Sequence, residues 1–146
     1  MKTIQEIKTK MEMIAAEVQD NEAARMNAML APQPYDYDVE NQTAIIRYEA
    51  QEWEKNHRGE VHGGAVAAMF DTAMGMTILA FSDHDHVATA DLDVSFIRPF
   101  IGDGFLFEIN VIRMGRSMAR VRALAKDETT GKLLASATSN FVYSNK

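Results

Sequence analysis

The chain has 146 residues, 47% of them apolar and 25% charged, with a formal net charge of −6. That length suits one domain with a real core, and the composition is that of an ordinary globular protein. The acidic balance argues against a nucleic-acid partner, and the lack of cysteine excludes disulfides, thiolate nucleophiles and cysteine-ligated zinc.

The opening residues mix charges and lack the apolar stretch of a signal peptide, so a cytoplasmic location is expected. Thr3-Ile-Gln-Glu6 is a capping-box pattern. Ile4, Ile7, Met11, Ile14 and Val18 then recur at steps of three and four, which predicts an amphipathic helix. Asp20-Asn21 ends or bends it, and Ala23 to Leu30 reads as a second short helix. Ala31-Pro-Gln-Pro-Tyr-Asp36 is a breaker. Thr43 to Glu49 reads as a strand, and the polar stretch Trp53 to Glu60 as a loop.

Ala65 to Phe81 is a long apolar run interrupted by one acid, Asp71. It predicts a helix that is apolar on nearly every face and buried all round. It is slightly short for a membrane span and carries a carboxylate at its middle, so no membrane is expected. A buried carboxylate is costly unless it is paired or hydrogen-bonded. Just upstream, His62-Gly63-Gly64 makes a glycine-led helix start, whose free N–H groups can hold developing negative charge. An acid and an oxyanion site on one helix point to acyl-transfer chemistry. Plainer roles stand beside these. Asp71 could be a structural acid, His62 a helix cap, and the glycines a means of close packing.

Asp83-His84-Asp85-His86 has the composition of a metal cluster but lacks visible supporting groups, and reads as a solvated loop with no metal. Four strand-like runs follow, Ala88–Arg98, Phe105–Met114, Met118–Lys126 and Leu133–Tyr143, separated by glycine-containing turns. Their even spacing predicts an antiparallel meander. A helix apolar all round then needs cover on two sides. The sheet supplies one, and a second subunit is the economical cover for the other.

Asn56, Val61-His62-Gly63-Gly64, Asp71, Thr89, Asp93-Val-Ser-Phe-Ile-Arg-Pro99 and Gly115-Arg116 together resemble the hotdog-fold acyl-CoA thioesterases, in the phenylacetic-acid-degradation (PaaI-like) branch. The resemblance covers residues 43–143 and leaves residues 1–30 as an N-terminal helical extension. It implies a single α+β domain, with an antiparallel sheet wrapped around a long central helix. It implies Asp71 as base or nucleophile, and Gly63 or Gly64 as the backbone donor to the thioester carbonyl. Asn56 is implied as a second donor, His62 as a group positioning substrate or leaving thiol, and Thr89 as a hydroxyl orienting water. Arg98, Arg113, Arg116, Arg120 and Arg122 are candidate contacts to the phosphates of coenzyme A, since arginine suits phosphate recognition, with a solvated strand edge as the plainer role of each. Arg98, Arg116 and Ser117 are the expected substrate-binding residues.

Spacing makes an independent point. Gly63 and Asp71 are eight residues apart, so on one helix they are separated by about 12 Å. Acid and oxyanion donor must both lie within roughly 3–4 Å of one reacting carbonyl or its water. One chain cannot achieve that, whereas two such helices packed antiparallel about a two-fold axis can. The expectation is a thioester hydrolase without cofactor, acting on acyl-CoA or an acyl-carrier thioester. It is expected to be an obligate homodimer, assembled further as a dimer of dimers. A non-catalytic acyl-CoA-binding module on the same fold is the alternative. A hydratase or dehydratase is a weaker third reading, with His57 and His62 as the only nearby histidines.

Overall fold

A computed structural model describes residues 1–20 and 25–144. Thr3 caps α1 (Ile4–Gln19) with the reciprocal box anticipated, its Oγ1 accepting from the Glu6 N–H and the Glu6 carboxylate from the Thr3 N–H. Asp20 is the C-cap; Asn21 lies outside the described residues, as do positions 23 and 24 of the expected second helix. What is described of that helix is α2 (Met26–Leu30), closed by Ala31 in the left-handed region at φ 53°.

The breaker ends there, but the residues after it do not stay irregular. Gln33–Asp38 forms β1, antiparallel to β2 (Thr43–Glu49). Two prolines hid this strand. Pro34 is accommodated because β1 is an edge strand and its register shifts between Pro34 and Asp36. A short 3-10 turn, Glu52–Glu54, precedes the long helix α3 (Gly63–Phe81). Four strands follow: β3 (Val87–Phe96), β4 (Gly104–Met114), β5 (Met118–Asp127) and β6 (Leu133–Tyr143).

The sheet has six strands in the order β1-β2-β4-β5-β6-β3. Only β4-β5-β6 is a meander. β3 does not pair with β4; it crosses to the far edge and pairs with β6. The connection from Ile97 to Asp103 is too long for a tight hairpin, and it carries the chain across the end of the sheet. Alternation along β2, β4, β5 and β6 places Ile46, Phe107, Ile109, Val121, Ala125 and Phe141 on one buried face. α3 lies against that face and buries Val66, Met69, Phe70, Ala73, Met74 and Ile78. This is a sheet wrapped around a central helix, the hotdog arrangement.

The other side of α3 is covered differently from the expectation. α1 packs on it and buries Ile7, Met11 and Ile14, so the chain supplies much of the second cover itself. Each such side chain contributes about 1.5–3 kcal/mol when fully buried. The Nζ atoms of Lys2 and Lys10 donate to the Ser82 carbonyl at 2.6 and 2.7 Å, placing cations at the C-terminal end of α3. That is the end at which positive charge is favoured.

Candidate active site

α3 carries both halves of the expected site, at different levels. Asp71 sits in its middle and is half-buried. The Thr89 hydroxyl donates to its Oδ1 at 2.6 Å. What aims Thr89 is a register shift in β3 between Thr89 and Asp91, opposite Phe141 and Asn140 of β6. A bulge of this kind re-aims side chains and is common beside functional sites. It is pinned by Asp91, whose carboxylate accepts from the Asn140 N–H at 2.9 Å and from its side-chain amide at 2.8 Å. These bonds hold the Asp91 carboxyl below its ordinary value.

The second half lies at the N-terminus of α3. His62 is the N-cap, and its Nδ1 accepts from the Gly64 N–H at 2.8 Å. The plainer reading of His62 is what the structure shows, since the ring caps the helix and is fixed by doing so. An imidazole accepting through Nδ1 carries its proton on Nε2 when neutral, leaving that N–H free to donate. The same bond occupies Gly64. The Gly63 N–H has no partner among the described residues, as expected at an open helix start. A side chain at position 63 would meet the Phe96 ring at 3.4 Å, so glycine lets the end of β3 lie close over this N–H.

Asn56 heads the turn before the helix. Its Oδ1 accepts from the Arg58 and Glu60 N–H groups at 2.9 and 3.2 Å, and its side-chain amide N–H groups have no partner among the described residues. Asn56, Gly63, Phe96 and Arg98 line one cleft of about 350 Å³. Arg98 is anchored there by donating to the Leu133 carbonyl at 2.7 Å. Arg58 shares the cleft and was not anticipated.

Asp71 and Thr89 do not line that cleft. Arg116 and Ser117 are also apart, on the exposed β4–β5 turn. Ser117 there bonds Tyr143, whose ring stacks on His84 beyond the far end of α3. A larger cavity of about 750 Å³ lies on the outer face of the sheet, lined by Asn110, Arg122, Ser136 and Thr138 among others. Asp93 and Ser95 of the Asp93–Pro99 motif and Arg122 border it, but none of Asn56, His62, Gly63, Gly64, Asp71 and Thr89 does, so its size does not make it the better site. Among the described residues no three histidine or carboxylate side chains converge as a metal centre.

Sequence reasoning missed Glu54 and Tyr48. Glu54 is only 1% exposed although its segment reads as a polar loop, and Tyr48 donates from full burial to the Met69 carbonyl at 2.9 Å.

Comparison with known proteins agrees with this architecture. Residues 58–134 match the Thioesterase superfamily, a span running from the Asn56 turn through α3 to the start of β6. Acyl-coenzyme A thioesterase 13 of Mus musculus is 24% identical over 92 residues, which are 62% of this chain and 66% of that protein. The chain spans between 41% and 66% of the length of the curated relatives it matches. The structure of thioesterase superfamily member 2 from Mus musculus superposes with a TM-score of 0.79 at 16% identity, covering 99% of this chain and 100% of that one. The N-terminal helices, outside the sequence resemblance, thus have counterparts in a solved fold. The Escherichia coli PaaI protein from the phenylacetic acid degradation operon superposes with a TM-score of 0.77 at 17% identity, over 95% and 96% of the two chains. By sequence match and by fold, the chain belongs to the hotdog-fold thioesterase superfamily.

Proposed function

We propose that the protein hydrolyses acyl-CoA thioesters, with each active site shared between two copies of the chain. The observation that carries this reading is the division of the chemistry along α3. An acid bonded to a hydroxyl lies eight residues from an unoccupied N–H, about 12 Å away. Neither half can hydrolyse a thioester alone, and an antiparallel partner helix brings the complementary half. β3 supports the assembly. It is a ten-residue, largely exposed edge strand that carries Thr89, and such an edge is ready to pair with another strand.

In this reading Asp71 acts as general base. Thr89 has committed its hydroxyl proton to Oδ1, so its lone pairs can only accept from water, which orients that water beside the free Oδ2. The water attacks the thioester carbonyl as its proton passes to Asp71. The oxyanion is held by the Gly63 N–H and the Asn56 amide of the partner copy. On collapse the carbon–sulfur bond breaks and the thiolate leaves, taking from Asp71 the proton that the water gave up, while the His62 Nε2–H donates a hydrogen bond that positions the departing sulfur. Arg58 and Arg98 supply positive charge at the cleft for the phosphates of the carrier.

The test is thiol release from acetyl-, hexanoyl-, palmitoyl- and phenylacetyl-CoA. Steady turnover of at least one is expected. Saturable binding without turnover of any would favour the non-catalytic module instead.

A further inference from the structure

The turn that presents Asn56 and Gly63 is built around a buried acid that the mechanism does not use. Glu54 closes the Glu52–Glu54 turn and is 1% exposed. Its Oε1 accepts from the Gln51 N–H at 2.7 Å, while its Oε2 is buried with no hydrogen-bond partner among the described residues. Its main-chain carbonyl accepts from the His62 N–H at 2.7 Å, and the adjacent Lys55 bridges to Val61. Gln51 ties the same turn to α2 by donating to the Met29 carbonyl at 2.6 Å. Glu54 is thus two residues from one proposed oxyanion donor and one hydrogen bond from the cap that precedes the other.

We propose that Glu54 is a positioning residue, whose buried carboxylic acid keeps the 51–62 turn closed and so holds Asn56 and Gly63 in place. This rests on the shared-site reading above. A neutral acid leaves one modestly polar oxygen unpaired. A carboxylate there is an unpaired buried charge, which costs far more. Burial accordingly pushes the Glu54 carboxyl above its ordinary value, against the smaller opposing effect of the Gln51 N–H. Among the described residues the ionisable groups on the surrounding elements are Tyr48 on β2, Asp71 on α3, His62 at its cap, Arg25 at the start of α2, and Glu52, Lys55, His57, Arg58 and Glu60 on the turn itself. Lys55 is paired with Glu52 at 3.3 Å, and none of these side chains bonds the Glu54 carboxyl. Deprotonation must therefore be relieved by opening the turn to water. Stability from this group is complete below the ordinary glutamate value of about 4.3. It is lost as pH rises from there through the raised folded value.

Trp53, the only tryptophan, stands on this turn and donates to Gln51 Oε1 at 3.1 Å, so its fluorescence reports the turn whether or not the protein is an active enzyme. The experiment is a pH titration of Trp53 emission beside kcat/KM for phenylacetyl- and hexanoyl-CoA, in wild type and Glu54→Gln. Glutamine keeps the acceptor for the Gln51 N–H and cannot ionise. In wild type, emission should shift in one step above the ordinary glutamate value. With the same midpoint, kcat/KM should fall about tenfold to a hundredfold on the alkaline side, the scale expected when catalytic donors are displaced. Glu54→Gln should show neither change. If that variant does not fold, Glu54→Met, also unable to ionise, replaces it. A wild-type chain without the step, the same step in the variant, or an emission step without a parallel change in kcat/KM would each overturn the proposal. If wild type hydrolyses neither thioester, the functional reading is what fails, and the emission step alone decides whether Glu54 closes the turn.

Discussion

The two halves of the site are built by opposite means. Asp71 and Thr89 stand on regular elements, and their meeting depends on one register shift in an edge strand. Asn56, His62 and Gly63 stand on a turn and a helix start, held by a web of main-chain bonds among residues 51–64. In the proposed mechanism the acid half is therefore sensitive above all to side-chain chemistry. The donor half there works through the Gly63 N–H and the Asn56 side-chain amide and is sensitive to local conformation. A mutation that separates chemistry from conformation should act differently on the two.

The largest effect is expected from Asp71→Asn. The amide is nearly isosteric but is neither base nor nucleophile, so thiol release should fall by about a thousandfold or more in kcat. The fold, followed by thermal unfolding, should be retained. Near-normal turnover would remove Asp71 from the mechanism.

In the donor half the sharp comparison is between adjacent glycines. Gly63→Pro deletes the unoccupied N–H at a helix position where proline is tolerated. It should lower kcat by about a hundredfold to a thousandfold. Gly64→Pro deletes only the N–H that His62 already holds, so its main cost should be about 1 kcal/mol of lost capping, read as a lower Tm. If Gly64→Pro is the more damaging to kcat, the oxyanion assignment belongs to Gly64.

Thr89 should matter least. Thr89→Ala leaves the base intact and lets another water substitute in part, so a loss of about tenfold in kcat is expected, at the low end for such groups. Thr89→Ser keeps the hydroxyl and should be close to wild type. Equal damage from both would assign the threonine methyl, and thus packing, to this position.

Much of this was legible in the sequence because the relevant signals are local. The capping box at Thr3, the unbroken apolar run around Asp71 and the glycine turns between β4, β5 and β6 all act over a few residues, and they appear where expected. The family resemblance singled out Thr89 as a hydroxyl but did not anticipate its bond to Asp71. The bulge that produces it leaves no mark in the Thr89-Ala-Asp-Leu alternation. Non-local features were hidden. Pro34 concealed an edge strand, even spacing concealed the crossing of β3 to the far edge, and the apolar face of α1 gave no sign that it would cover α3. Glu54 was read as part of a polar loop because nothing in Glu52-Trp-Glu-Lys-Asn56 says which of its two acids faces inward.

The central claim, that the two halves meet only across two chains, is tested most directly by complementation. An Asp71→Asn chain and a Gly63→Pro chain, each inactive as a homodimer, are mixed under conditions of subunit exchange, and the verified heterodimer is assayed for thiol release. One of its sites collects both lesions, and the other pairs an intact Asp71 with an intact Gly63. About half of the wild-type activity per dimer should return, since one site in two is restored. A verified heterodimer with no regained turnover, or a monomer as active as the wild-type assembly, would contradict the shared site.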